Sequence, residues 1–250
     1  MRGLGTIINL IAVAVGASIG MVVGDRLPQR YRTTILQGLG LITLAVGIVG
    51  LEPLCESDEG LRRFVILIAG MIAGGVLGEL GRLQDRLDSF GERLRLRLQK
   101  EPAHAGPGNP TSADAHARFV EGFVVASTVF CAGPLTILGS IEDGLGISIR
   151  SLAIKSALDF FASIGFASAY GLGVLASLIT IAVYQGGITL GATLIEPLMT
   201  AEVVAMLGAT GSLLVLGIGL RLLDIAPVRV VNLMPALLIG PAIAGVVELF

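Results

Sequence analysis

Residues 160–195 read "FFASIGFASAYGLGVLASLITIAVYQGGITLGATLI", without a single charged side chain. As one α-helix this run would be about 54 Å long at 1.5 Å per residue, far more than a hydrocarbon core of about 30 Å needs. It must therefore fold back. Placing Ser151–Phe160 in front of it and turning at Tyr170-Gly171-Leu172-Gly173 divides it into two bilayer-length helices.

Working outward, Leu4–Gly24 and Thr33–Leu51 are charge-free and long enough to cross, at roughly 20 apolar residues per span. Phe64–Gly78 is shorter and continues past Glu79, and Gly122–Ile141, Val203–Leu220 and Val230–Val247 complete the set. The expectation is an all-α, polytopic membrane protein of about eight transmembrane helices, or seven if one of the middle pair is re-entrant. Arg2 before the first apolar run is compatible with a signal peptide. That run is longer than a usual h-region and has no clear small-x-small site before Asp25, so it reads as retained.

Composition agrees. Hydrophobic residues make up 54% of the 250 and charged residues 14%, whereas a soluble chain needs about a quarter charged to cover its surface. The 35 glycines suit close helix contact in lipid, with Gly16, Gly20 and Gly24 on one face of the first span and Gly70, Gly74 and Gly78 on one face of the third. A net charge of -2 gives no sign of nucleic-acid binding. Two cysteines make no disulfide framework, and Cys55 in a loop and Cys131 inside a span should lie at different depths.

Lysine and arginine set the orientation. Arg26, Arg30, Arg32, Arg82, Arg86, Arg93, Arg95, Arg97, Lys100, Arg118, Arg221 and Arg229 fall on one side. Arg2, Arg62, Arg63 and Arg150 fall on the other, with Lys155 just inside a span. The basic side, with loop 82–117, is expected to be cytoplasmic in a bacterial inner membrane, and both termini outside. In that loop Leu80, Leu83, Leu87, Phe90 and Leu94 recur at helical steps, predicting an amphipathic helix that extends the third span, solvated, or lies on the membrane surface. "EPAHAGPGNPTSADAHA", with His104 and His116, reads as a flexible linker.

The two ends of the chain resemble each other. "VAVGASIGMVVG" from Val13 lies over "VYQGGITLGATL" from Val183, "ILQGLGLITLAVGI" from Ile35 over "MLGATGSLLVLGIG" from Met206, and "LIAGMIAGGVLGEL" from Leu67 over "LLIGPAIAGVVELF" from Leu237. The offset is nearly constant, so three consecutive spans match in order. With eight spans the two triplets run in opposite directions, an inverted repeat flanking a central helix pair, as in many secondary transporters. The organisation expected is 1–81 as the first three-helix repeat, 82–117 as amphipathic helix and linker, 118–169 as the central pair with its Gly-Pro break, and 170–250 as the second repeat.

Polar residues inside spans mark candidate sites, because a polar group left unpaired in hydrocarbon costs several kcal/mol. The fourth span offers Ser127, Thr128, Cys131 and Thr136 around Pro134, which removes a backbone donor and frees the carbonyl near Phe130. That kink either builds a polar site or merely shapes packing. Lys155 and Asp159, four apart, are the ionisable groups well inside the apolar text. Lys155 is near enough to the helix start to snorkel; Asp159 binds a cation, carries a proton, or neutralises Lys155 as a structural pair. Gln185 and Thr189 follow in the sixth span. Asn9 and Asn232 read as interhelical hydrogen-bond glue, and Glu142 and Asp143 as a solvated outer loop.

The segments "GTIINLIAVAVGASIG", "LPQRYRTTILQGLGLITLAVGI", "FVVASTVFCAGPLTILGSIEDGL", "KSALDFFASIGFASAYGLGV", "YQGGITL" and "VRVVNLMPAL" together resemble the Domain of Unknown Function 554 family, the YdfK-like bacterial multi-pass membrane proteins. The resemblance covers nearly the whole chain outside the linker. It implies an inner-membrane protein and carries over no site residues.

The functional expectation is a secondary transporter or channel for a small ion or polar solute, whose partners are the lipid bilayer and that solute. Asp159, Lys155, Ser127, Thr128, Cys131, Pro134, Gln185 and Thr189 form its candidate site. The alternative is a structural or regulatory membrane subunit. An enzyme is not expected: no histidine lies in a span and no Gly-x-Ser-x-Gly elbow occurs. No cofactor is expected and no metal is assigned. A homo-oligomer is compatible with the chain, though no motif calls for one.

Overall fold

The computed structural model describes residues 2–24, 28–55, 59–98 and 112–248. Among them all regular structure is helical. The long helices are α1 (Leu4–Gly24), α2 (Gln29–Val49), α3 (Gly60–Leu80), α7 (Arg150–Tyr170), α9 (Leu178–Ile195) and α10 (Ala201–Leu222). Also long is α5 (Ser112–Ala132); shorter ones are α4 (Leu83–Leu98), α6 (Pro134–Leu145), α8 (Leu172–Ala176), α11 (Val230–Leu233) and α12 (Ala236–Val247).

Seven stretches among the described residues are long and apolar enough to cross a bilayer, α8–α9 and α11–α12 counting as one each. The pair α5–α6 is bent by 60° and is apolar enough to make an eighth. Its two ends lie at opposite ends of the bundle. Near its start, Glu121 faces Arg221 at the end of α10, 3.7 Å away, and Gly122 abuts Tyr170 at the end of α7. Near its end, Asp143 meets the start of α1. The bent pair thus runs from one face of the bundle to the other rather than returning. The chain is a multi-pass membrane protein whose outer surface is apolar, with Ile7, Ile11, Val15 and Ile19 forming an exposed stripe along α1.

Two glycines set the turns that make this count work. Gly171 sits at φ +71°, ψ −137°, a conformation open to glycine alone, and divides the long uncharged run as expected. Gly146 is left-handed at φ +74° and closes α6, its neighbour Ile147 donating back to the Glu142 carbonyl at 2.9 Å.

Close packing follows the glycine ladders. A methyl group added at Gly16, Gly20 or Gly24 would strike the backbone of Phe160, Ile164 or Ser168, so α1 and α7 run parallel at near backbone contact. Gly70, Gly74 and Gly78 bring α3 equally close to Gly240, Ala236 and Asn232, here antiparallel. The largest buried cluster includes Val13, Phe130, Phe166, Ile181, Leu214 and Ile218, drawn from α1, α5, α7, α9 and α10.

Three local expectations change. α3 does not continue as a solvated helix; the chain turns at Arg82, φ +49°, and α4 folds back under the bundle. Leu83 and Leu87 pack on the cluster of Phe119, Phe123 and Val124, and the rings of Phe90 and Phe123 are 5.8 Å apart. The apolar face of α4 had a protein partner that periodicity could not specify. α5 starts at Ser112, inside the stretch read as linker; 99–111, with His104, and the side chains of Leu94 and His116 lie outside the described residues. Finally, Asp143 is not in a solvated loop: α6 extends through it and buries it fully.

Candidate functional site

Asp143 is buried because α1 begins beside it. The first amides of a helix have no intrahelical acceptor and carry the positive end of its dipole. The Asp143 carboxylate accepts from the Gly5 and Thr6 amides, each at 3.0 Å, and from the Thr6 hydroxyl at 3.2 Å, acting as a cap supplied by another helix. The Thr6 hydroxyl is also 2.9 Å from that of Thr189 on α9. One turn deeper, the Asn9 Nδ2 donates to Gln185 Oε1 at 2.9 Å, and Gln185 Nε2 lies 3.4 Å from Thr6 Oγ1. Both amide side chains are wholly buried.

This ladder leads to the ion pair. Lys155 and Asp159 are bonded to one another on the face of α7 that looks inward, 5% and 7% exposed. Lys155 therefore does not snorkel. Its Nζ stands 5.9 Å from the centre of the Phe130 ring, and Asn9 lies within reach of the Asp159 carboxylate. Asp159 is about 14 Å along α7 from Arg150, near the middle of that 21-residue helix. The Asn9 Oδ1 atom, fully enclosed, has no hydrogen-bond partner.

Cys131 lies within electrostatic reach of both members of the pair and is 1% exposed. It follows Ser127 and Thr128 by four and three residues, so all three share a face of α5. Ser127 donates to Thr180 on α9 at 3.1 Å, and Thr128 to its own helix at Val124. Ser127, Thr128 and Thr180 border a cavity of about 360 Å³ at the basic end of the bundle, whose open wall is almost wholly apolar. Its walls are Leu83, Leu87 and Phe90 of α4 with Val231 and Met234, and Arg86 stands among them. The sequence-derived residues thus fall in two groups: Ser127 and Thr128 beside the cavity, and Cys131, Lys155, Asp159, Gln185 and Thr189 deeper in. Sequence reasoning did not assign Thr6 or Asp143 to the site and read Asn9 as glue. A regular distance between polar residues could not reveal them, because their partners lie 137 or more positions away.

Pro134 acts through the backbone. Gly133 is extended at ψ 145°, Pro134 takes the first helical position of α6, and the two helices bend there. The Phe130 carbonyl expected to be free is occupied: the Thr136 hydroxyl donates to it at 3.0 Å. Asn232 is glue as expected, accepting from the Gln84 amide at 2.7 Å at the start of α4 and donating to Glu79 at 2.5 Å. Among the described residues no three His, Cys, Asp or Glu side chains are placed to hold a metal ion. Both cysteines are free thiols, Cys55 exposed and Cys131 buried.

The family described as "Protein of unknown function (DUF554)" matches residues 4–245. The chain is 30% identical over 240 residues, 95% of its own length and 94% of the relative's, to the "Uncharacterized protein YqgA" of Escherichia coli (strain K12). It is 27% identical over 246 residues, 98% and 97% of the two chains, to the "Uncharacterized membrane protein YdfK" of Bacillus subtilis (strain 168). No solved structure matches the chain. The chain belongs to the DUF554 family.

Proposed function

We propose that this member of the DUF554 family is a secondary transporter or channel for a small ion or polar solute, with Asp159 at its centre. The observation that carries the reading is the polar track through an otherwise apolar bundle. It begins at the Ser127–Thr180 hydroxyl pair, behind the apolar wall of the cavity at the basic end, and passes Cys131 to the Lys155–Asp159 pair. Asn9, Gln185, Thr6 and Thr189 continue it to Asp143 at the opposite end. A scaffold needs no such chain of groups. Each costs several kcal/mol if left unpaired, and one acceptor in the track, Asn9 Oδ1, is unpaired.

The scaffold we infer is an inverted duplication. α1 and α9, α2 and α10, and α3 and α12 run in opposite senses, and each pair matched in sequence is also in contact. α1 packs parallel to α7 as α9 packs parallel to α6, which is what exchange of the two halves about an axis in the membrane plane requires. The basic end, with the cavity, is then cytoplasmic, and the membrane is the bacterial inner membrane.

The rival reading, a structural subunit, needs the glycine faces free for partners. Gly16, Gly20, Gly24, Gly70, Gly74 and Gly78 are already filled by this chain's own helices. The two readings separate in proteoliposomes: transport predicts a solute-dependent flux that Asp159→Asn abolishes while assembly stays intact, and that disruption of α4 at Leu83 and Leu87 affects less. A subunit predicts no flux for any ion or small polar solute, and loss of partner association when α4 is disrupted.

A further inference from the structure

The cavity beside α4 has an apolar interior and a cationic edge. Leu83, Leu87 and Phe90 of α4, with Val231 and Met234, wall it, and its volume of about 360 Å³ lies within the range of small-molecule sites, roughly 300–1,000 Å³. The hydroxyls that border it are already engaged: Ser127 donates to Thr180, and Thr128 to the Val124 carbonyl. Water inside would lack the two to four polar partners it needs, so the cavity suits an apolar occupant. It borders the surface that lipid covers. On α9, Ile179 beside Thr180 is 44% exposed and Val183, one turn on, 72%, while Phe90 is 45% exposed.

The edge is basic. Arg86 lines the cavity, and Arg93, seven residues on, lies on the same stripe of α4, beside that of Leu83, Leu87 and Phe90. Both arginines are exposed, and neither meets an acid among the described residues. Asp85 and Asp88 line a different cavity on the other side of the helix. Since α4 follows the end of the α3 span at Leu80, its arginines stand at headgroup depth.

An acyl chain drawn from the bilayer is already in hydrocarbon and gains little by entering an apolar cavity. Selectivity therefore falls on the headgroup. A guanidinium without a protein partner matches a phosphate, to which it can donate two parallel hydrogen bonds, and a lipid of net negative charge adds attraction that a zwitterion lacks. We propose that this cavity takes one acyl chain of an anionic phospholipid from the leaflet at the basic end, with the lipid phosphate on Arg86 and Arg93 close by. The site stands independently of the transport reading.

The test counts the lipid that the protein retains, by native mass spectrometry, after purification from vesicles of equal dioleoyl phosphatidylglycerol and dioleoyl phosphatidylcholine. Wild type should keep one phosphatidylglycerol per chain with about a tenfold preference, the scale of one charge-assisted contact. Arg86→Gln, at an exposed side chain, should lose most of that preference and melt as wild type does. Leu83→Trp, which fills the cavity, should retain neither lipid; if it does not fold, Arg86→Gln alone decides. Equal retention of the two lipids, or an undiminished preference in Arg86→Gln, overturns the proposal. So does displacement of the lipid by an equal concentration of oleate, which has the chain without the phosphate, or of glycerophosphate, which has the phosphate without the chain.

Discussion

Asp143 and Asp159 are both buried carboxylates, made tolerable in different ways. Asp143 receives three donors from the start of α1, so its charge is spread over groups that themselves needed an acceptor. Asp143→Ala strands the Gly5 and Thr6 amides and should cost about 2 kcal/mol, read as a lower melting midpoint in detergent. Asp159 depends on one cation. Lys155→Met leaves that carboxylate uncompensated and should cost about 3–5 kcal/mol, whereas Lys155→Met/Asp159→Leu should melt near wild type. Equal melting of the single and double variants would show that the pair is not the constraint. The Lys155–Asp159 pair was legible in the sequence because its members share a helical face four residues apart. Asp143 was not, since a residue one turn before a glycine reads as a loop until the helix it caps is seen beside it.

At the scale of elements, the ladders and breaks were legible and the placement of α4 was not. Glycines at every fourth position announce a close contact, and Gly-Pro announces a bend; neither depends on the identity of the neighbour. Gly20→Leu should therefore push α1 from the Ile164 backbone and cost about 3 kcal/mol, the upper range for overpacking, with lower yield of folded protein. Unchanged melting would place α1 elsewhere. An amphipathic pattern, by contrast, says that one face is apolar but not what covers it. Here Phe119 and Phe123 do. Phe90→Ala/Leu87→Ala should release α4, seen as faster cleavage in residues 83–98 while the spans stay intact. Protection equal to wild type would contradict the docked position.

At the scale of the molecule, seven spans and a bent pair able to make an eighth could be counted from the sequence. The track could not, because it is assembled from five helices whose polar residues look isolated in each. The orientation has a native reporter: Cys55 is exposed at the end opposite the basic loops, and Cys131 is buried. A membrane-impermeant maleimide should label Cys55 in intact spheroplasts; labelling only after lysis would reverse the topology. The central claim, that the polar track carries a solute past Asp159, is tested most directly by flux. Wild type, Asp159→Asn and the well-folded Lys155→Met/Asp159→Leu variant would be reconstituted into liposomes and compared across a panel of ions and small polar solutes. The account predicts a flux in wild type that both variants reduce at least about a hundredfold, the weight of roughly 2.7 kcal/mol at the site. A wild-type flux that survives in both variants would contradict it.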